Sequence, residues 1–116
     1  MSGMKILCVE DQPEDMAILA YMLEGIGYEV MPARTGGQAI DLLTRQAIDG
    51  VLLECNLPDA TGATLRAKLK AIRPDVPIML FAGIGSDTPF MLRFFDAYLR
   101  KVERLGDLGD LGELDI

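Results

Sequence analysis

The sequence has 116 residues, which is enough for one domain with one hydrophobic core. Eleven Lys and Arg against eighteen Asp and Glu give a net charge of -7, and a surface of that sign repels nucleic-acid phosphates and anionic lipid. Because the chain contains no His, catalytic triads, transition-metal sites and phosphoryl transfer that depend on His are excluded.

Two cysteines, Cys8 and Cys55, are too few for a disulfide scaffold, and the apolar run around Cys8 predicts that this thiol is buried. The N-terminal residues lack the long apolar region of a signal peptide, and no stretch of 18 apolar residues occurs in the sequence. We therefore expect a cytoplasmic protein that binds neither nucleic acid nor membrane.

Short apolar runs alternate with segments of helical period, a pattern typical of a parallel sheet covered by helices. The predicted strands are, in chain order, residues 6–9, 28–31, 50–53, 77–81 and 97–99. The helices between them carry local signals. These are Pro13 at a helix start, Gly27 at its end, a capping box from Thr35 to Gln38, a stop at Pro74 and a start at Thr88.

The helix that begins at Thr88 is predicted to be only about two turns long and to end at Phe95. After the fifth strand, leucines recur every third residue with glycines between them, over residues 103–116. Each Gly costs a helix about 1 kcal/mol relative to Ala, so this repeat predicts a weak or irregular last helix. We expect it to close the core of a single domain spanning residues 1–116; a leucine patch that docks a partner is the alternative.

Charged side chains follow three of the predicted strands directly. Glu10 and Asp11 follow the first, Glu54 follows the third and Lys101 follows the fifth. Ligands of an open parallel sheet bind beyond the carboxyl ends of its strands, where these groups would meet. Carboxylates in such a cluster suit Mg²⁺, although each residue alone is more typical of a helix cap or a solvated loop.

Five segments together resemble the receiver domain of two-component response regulators, over about residues 4–102. They are residues 5–11, 33–40, 51–62, 76–80 and 97–101. The resemblance implies an α/β fold of the flavodoxin-like (βα)5 type, a three-layer sandwich around a five-stranded parallel sheet of order 2-1-3-4-5. It also implies phosphorelay signalling and no enzymatic role of the chain's own.

The resemblance assigns a role to each strand-end residue. By similarity, the metal-binding positions are Glu10, Asp11, Glu54 and Asn56, of which Glu54 also takes the place of the phosphoacceptor Asp. Ala82 stands where the family has a hydroxyl, Lys101 takes the place of the lysine that contacts the phosphoryl group, and Tyr98 that of the switch aromatic. The family's Pro after the lysine is replaced by Val102.

The replacement of Asp by Glu54 lengthens the carboxylate by one methylene, on the order of 1.5 Å, and allows two interpretations. Glu54 either mimics the phosphorylated state permanently or marks a domain that has lost phosphorelay control. We favour the second, because Ala82 lacks the hydroxyl that would link this charge to Tyr98. Glu54 would then form a partly buried ion pair with Lys101.

The sequence thus predicts a stand-alone, atypical receiver domain that is not phosphorylated at Glu54 and binds Mg²⁺ weakly or not at all. Its partner would be a histidine kinase, a downstream effector or a second copy. Most of the aromatic residues Phe90, Phe94, Phe95 and Tyr98 are expected to pack their helix on the sheet, and a partner contact surface among them is a further hypothesis. The alternatives are a response regulator that is phosphorylated on another acid, such as Asp59, and a flavodoxin-like binder of a small ligand or phosphate.

Overall fold

The computed structural model describes residues 3–105, with side chains through residue 103. Four strands and four helices alternate along this part of the chain. In order they are β1 (Lys5–Val9), α1 (Pro13–Ile26), β2 (Glu29–Ala33), α2 (Gly36–Arg45), β3 (Gly50–Glu54), α3 (Gly62–Ile72), β4 (Ile78–Phe81) and α4 (Thr88–Leu105).

The strands form one parallel sheet in the order β2-β1-β3-β4. This confirms the predicted flavodoxin-like arrangement, and the four strands take the predicted places 2-1-3-4. All five residues of β3 are buried, because this strand lies inside the sheet and helices cover both of its faces. β2 and β4 are the two edges of the sheet over the described residues.

Side chains that alternate along the strands divide the core into two layers. Leu7 and Val9 of β1 pack toward α2 and α3, whereas Ile6 and Cys8 pack toward α1 and α4. Burial, with a smaller effect of the nearby Glu10 charge, raises the pKa of the Cys8 thiol to about 12, so Cys8 is the inert buried residue that the sequence predicts.

Local signals in the sequence place the helix ends correctly. Pro13 occupies the first turn of α1, and Gly27 ends that helix in the left-handed conformation with φ of 116°. At the start of α2, the Thr35 side chain accepts a hydrogen bond from the Gln38 N–H, and the Gln38 side chain accepts one from Arg34 N–H. This is the predicted capping box with one difference. The Gln38 side chain binds the N–H of Arg34 and not that of the capping residue Thr35.

The fifth strand predicted at residues 97–99 is wrong, and so is the two-turn length of the preceding helix. These residues lie within α4, which continues for 18 residues. No Gly, Pro or Asn interrupts the sequence between Pro89 and Gly106. A helix through this segment also aligns Leu92, Phe95 and Leu99 on one face, and all three are buried against the sheet.

Contacts with two other parts of the chain hold α4 in place. The Tyr28 hydroxyl donates a hydrogen bond to the Asp96 carboxylate, which also accepts from Arg100 one turn further along the helix at 3.0 Å. Phe95 and Leu99 pack against Gly50, where a Cβ atom would lie only 3.1–3.3 Å from their side chains. The helix therefore runs antiparallel to β3, and its last turns lie near the amino end of that strand.

Of the predicted C-terminal element, residues 103–105 form the end of α4. The rest of the leucine and glycine repeat, residues 106–116, lies outside the described residues. Over the described part of the chain, no helix is long and apolar enough to cross a membrane.

Gly62, the first residue of α3, lies where this helix approaches the end of β3 closely. A Cβ atom on Gly62 would lie 2.8 Å from the Cys55 Cα and 3.1 Å from the Glu54 carbonyl oxygen. We expect Gly62→Ala to lower the free energy of unfolding by about 1–3 kcal/mol, because backbone must move to accept the methyl group. Urea denaturation at constant pH measures this change.

Gly25→Ala is the matched control for this prediction. No atom lies within 4 Å of the added Cβ in the last turn of α1, so removing glycine's backbone freedom should stabilise the protein by about 0.5 kcal/mol. Equal denaturation midpoints for the two variants would contradict the close packing of α3 on β3.

Candidate functional site

Two buried carboxylates lie at the carboxyl end of the sheet. Glu10 directly follows β1, and its N–H donates a hydrogen bond to the Ala33 carbonyl at 3.0 Å, which fixes its backbone beside β2. Glu54 is the last residue of β3, the strand next to β1. Glu10 is 1% exposed and Glu54 is 7% exposed, so both carboxylates are withdrawn from water.

Half of the Glu10 carboxylate is without a hydrogen bond. Its Oε2 accepts a bond from the Gln12 N–H at 2.9 Å, but its buried Oε1 has no partner. Burial raises the pKa of Glu10 from 4.5 to about 7; the Gln12 N–H opposes this increase, and the negative charge of Glu54 adds to it. This carboxyl group therefore changes its charge near neutral pH.

Glu54 is held by backbone groups of the two loops next to it. Its Oε1 accepts a hydrogen bond from the Gly83 N–H at 3.0 Å, and its Oε2 accepts one from the Asn56 N–H at 3.2 Å. Gly83 has a φ of 83°, a backbone conformation that residues other than glycine rarely adopt. In this turn after β4, the Gly83 N–H points toward the Glu54 carboxylate. Both oxygens of Glu54 are thus engaged within the domain.

The other predicted residues of the cluster lie around these two carboxylates. Asp11 is half-buried beside Glu10 and accepts a hydrogen bond from the Gln12 side chain at 3.2 Å. Asn56 and Ala82 are exposed, in the loops that follow β3 and β4. The structure therefore brings the predicted strand-end residues of β1, β3 and β4 to one edge of the sheet.

Lys101 and Tyr98 do not join them. Lys101 is an exposed residue of α4, 13 positions after Thr88, which corresponds to about 20 Å along the helix axis. Since α4 begins just after the carboxyl end of β4 and runs back along the sheet, Lys101 lies at the opposite end of the domain. The predicted ion pair between Glu54 and Lys101 is therefore wrong. Tyr98 is half-buried on the same helix and does not follow a strand.

Asp59 has a structural role that the sequence does not reveal. Its two carboxylate oxygens accept hydrogen bonds from the N–H groups of Gly36 and Gly37, at 2.9 and 3.2 Å. These bonds, the Gly36 bond above all, lower the pKa of Asp59. The contact joins the loop after β3 to the start of α2 across 23 positions, so no local pattern in the sequence signals it.

The described side chains do not form a complete metal site. Among residues 3–103, no three Asp, Glu or Cys side chains lie close enough together to hold one ion jointly. No ion pair to Glu10 or Glu54 is seen among these side chains either. The visible pairs join Arg45 to Asp41, Arg73 to Asp75, and Arg100 to Asp96. Among the described side chains, the buried acids at this edge are thus not neutralised by an ion pair, although Arg34 lines a cavity together with Glu10.

A model of the response regulator receiver domain family matches residues 6–102. The chain belongs to this family. It is also 37% identical over 78 residues to the regulatory protein LuxO of Vibrio vulnificus, a match that covers 67% of this chain and 17% of that protein. The chain spans less than a fifth of the length of the curated relatives it matches.

Solved receiver domains share the fold. A CheY-like receiver domain protein from Methanospirillum hungatei is 25% identical, with a TM-score of 0.71 over 96% of this chain and 100% of that one. The receiver domain of the sensor histidine kinase PA1611 from Pseudomonas aeruginosa is also 25% identical, with a TM-score of 0.67 over 98% of this chain and 83% of that one. That structure has a magnesium ion coordinated in the active-site cleft.

The raised pKa of Glu10 makes the stability of this receiver domain depend on pH. The folded state binds the Glu10 proton up to about pH 7, whereas the unfolded chain releases it near 4.5. The contribution of Glu10 to the free energy of unfolding is therefore greatest below pH 4.5. It decreases as the pH rises from 4.5 to about 7. We expect a loss on the order of 2 kcal/mol, which Glu10→Gln should abolish.

Urea denaturation at a series of pH values, in a buffer containing a chelator, measures this dependence. Glu29→Gln is the control, because Glu29 is an exposed residue of β2 outside the cluster. A wild-type curve parallel to that of Glu10→Gln between pH 5 and pH 8 would show that Glu10 does not retain its proton in the folded state.

Proposed function

We propose that this receiver domain acts through protein-protein contacts and does not accept a phosphoryl group on Glu54. The observation that carries the proposal is the state of the Glu54 carboxylate, which is buried with both oxygens bound to the N–H groups of Asn56 and Gly83. An attacking oxygen must lie in line with the leaving group of the phosphodonor. Each oxygen keeps a lone pair, but the two N–H bonds fix the orientation of the Glu54 carboxylate, so it could attack only from the directions that these bonds leave open.

The charge around Glu54 supports the same proposal. A phosphoryl group would bring further negative charge beside Glu10 and Glu54, and stabilising that charge requires cations or N–H donors. The lysine that takes this role by family resemblance, Lys101, lies at the far end of α4. Ala82 offers no hydroxyl in its place.

The geometry disfavours both alternatives. Asp59 would be a poor phosphoacceptor, since its two oxygens already bind the N–H groups of Gly36 and Gly37. A small phosphate ligand would meet the buried carboxylates Glu10 and Glu54 at the sheet edge where such ligands bind, and like charges repel there.

We also propose that Mg²⁺ binds weakly. In this chain the free Oε1 of Glu10 and the nearby Glu54 carboxylate could contribute to a Mg²⁺ site, and Mg²⁺ in proteins often uses one or two carboxylates plus water. Glu54 is already engaged by backbone donors, however, and no third acidic side chain within residues 3–103 completes the group. The partner we propose is a protein of the same signalling system, a histidine kinase or a downstream effector.

Intact mass spectrometry after incubation with acetyl phosphate and Mg²⁺ tests the absence of phosphorylation. We expect no gain of a phosphoryl group by the wild-type chain, while a receiver domain with the usual Asp, treated in parallel, gains one. A phosphorylated wild-type chain would contradict the proposal. Glu54→Asp is the matched variant. If this variant is phosphorylated and the wild-type chain is not, the length of the Glu54 side chain prevents phosphorylation, and the displacement of Lys101 does not.

Thermal unfolding with and without Mg²⁺ tests the strength of metal binding. Mg²⁺ at a concentration equal to its Kd adds only about 0.4 kcal/mol, so about 10 mM Mg²⁺ should raise Tm by about 2 °C or less. The effect should be larger at pH 8 than at pH 5.5, because a protonated Glu10 cannot bind the ion, and it should vanish in Glu10→Gln. A rise of about 10 °C would reveal a tight site and contradict the proposal.

A further inference from the structure

An apolar groove lies between the outer face of α4 and the turn that follows β4. It has a volume of about 600 Å³, and the apolar side chains that line it are Leu80, Phe81, Phe90, Met91 and Phe94. Phe90 is 65% exposed and Phe94 is 45% exposed. These two rings lie four positions apart in the helix, so they form one apolar strip on its outer side.

The last residues of the chain carry a pattern that suits this strip. Leucines recur at every third position of residues 106–116, which lie outside the described part of the chain, as Leu108, Leu111 and Leu114. The glycines between them disfavour an α-helix. In an extended chain with three residues per turn, every third side chain lies on the same side, and such segments bind grooves lined by aromatic rings.

The segment is long enough to reach the groove. It continues from Leu105, the last residue of α4. Phe94 lies 11 positions and Phe90 15 positions before that end, which corresponds to about 17 and 23 Å back along the helix axis. The extended length of residues 106–116 is about 34 Å. Leu111 and Leu114 therefore come within reach of the two rings even if the first two residues of the segment form a turn.

Cations surround the groove on α4 and α3. Arg93 and Lys101 of α4 are exposed, and no ion pair to either is seen among the described side chains. On α3, the Lys70 ammonium donates a hydrogen bond to the carbonyl of Val76 just before β4, so this side of α3 faces the same edge of the sheet. Arg66 lies one helical turn before Lys70 and therefore on the same side.

The acids of this surface offset the cations only in part. Asp87 is exposed and lines the groove, whereas Asp96 already belongs to an ion pair. Glu54 lies beneath the turn after β4, where it is buried with both oxygens bound to N–H groups. Glu103 is two positions from Lys101, which places it about 200° away around the helix. The accessible surface beside the phenylalanines is therefore basic.

Charge selects an acidic occupant for this groove. Residues 61–105 contain eight Lys and Arg against four Asp and Glu, although the whole chain has a net charge of -7. Residues 106–116 contain no Lys or Arg, and their acids alternate with the leucines: Asp107, Asp110, Glu113 and Asp115. This segment is also attached to α4, which gives it an effective concentration on the order of mM at the groove. The attachment favours it over a separate protein of the same chemistry.

We propose that residues 106–116 fold back along α4 and cover this groove. Leu111 and Leu114 contact Phe94 and Phe90, and the acids between the leucines lie beside the cations of α3 and α4. The inference goes beyond the proposed function and does not depend on it. A protein that binds the two phenylalanines has to displace the segment first, so the segment competes with partners for this surface.

A double-mutant cycle on the full chain tests the proposal. Leu111→Asn and Leu114→Asn together should lower Tm by about 4 °C, because the segment then loses its apolar contacts with the domain. In a chain that carries Phe90→Ser and Phe94→Ser, the same two Asn substitutions should change Tm by less than about 1 °C. Effects that add independently would overturn the proposal.

Tyr21→Ser is the matched control for the groove. Tyr21 is an aromatic residue of α1 that is 81% exposed and lies outside the groove, so the Asn substitutions should keep their full effect on Tm in this background. Loss of their effect here as well would contradict the location of the contact.

Reversal of charge tests the role of the acids. Asp107→Lys and Asp110→Lys together should lower Tm at low salt, and the loss should shrink as salt screens the surface charges. If the acids contributed only to the net charge of the chain, this variant would instead have a raised Tm. A raised Tm would therefore overturn the charge complementarity on which the proposal depends.

Nuclear Overhauser effects between the leucine methyl groups and the phenylalanine rings identify the occupant directly. We expect contacts of Leu111 and Leu114 with Phe94 and Phe90 within one chain, independent of protein concentration. In a mixture of labelled and unlabelled chains, contacts seen only between different chains would overturn the proposal in favour of a second copy. The absence of contacts to either ring would also overturn it and leave the groove to a different protein.

Discussion

The packing of α4 across one face of the sheet governs the arrangement of this domain. Phe95 and Leu99 lie against Gly50 at the amino end of β3, and Tyr28 anchors the same helix through Asp96. Because 18 residues are committed to one helix, β4 has no strand beside it within the described residues. The same commitment carries Lys101 to the end of the domain away from Glu10 and Glu54.

Over the described residues, the acidic end of the sheet is consequently stabilised by backbone groups and not by an ion pair. Glu54 is satisfied by two N–H donors, while the buried Glu10 has only one and a pKa of about 7. A buried carboxylate without a cation is costly when it is ionised, so the domain responds to protons at this point. Any group that brings positive charge to the sheet edge would relieve that cost, whether it is a metal ion or a side chain of a partner.

We propose that membership in the receiver domain family coexists here with a changed site. The fold, the order of the strands and the placement of acids after β1 and β3 are those expected of the family. In the function that we propose, Glu54 in place of Asp, Ala82 in place of a hydroxyl residue and the displaced Lys101 would each disfavour phosphoryl transfer. The surface of α4, by contrast, carries two exposed phenylalanines, Phe90 and Phe94.

The sequence by itself determined the elements whose signals are local. Pro13, Gly27 and the Thr35 capping box mark helix ends through contacts within a few residues, and the apolar runs of β1 and β3 require burial in a parallel sheet. The acids that follow those strands are placed at one edge by the fold class alone. The resemblance to receiver domains is confirmed over residues 6–102, but the strand that it implies at residues 97–99 is part of α4.

Only the tertiary structure decided the secondary structure of residues 97–99 and the contacts of the charged side chains. A run as short as Ala-Tyr-Leu fits a strand or a turn of helix equally well, and the choice falls to packing of Leu92, Phe95 and Leu99 on the sheet. The contacts of Asp59 with Gly36 and of Glu54 with Gly83 join residues more than 20 positions apart. Such distances depend on how helices and loops pack in three dimensions, which residue spacing along the chain does not encode.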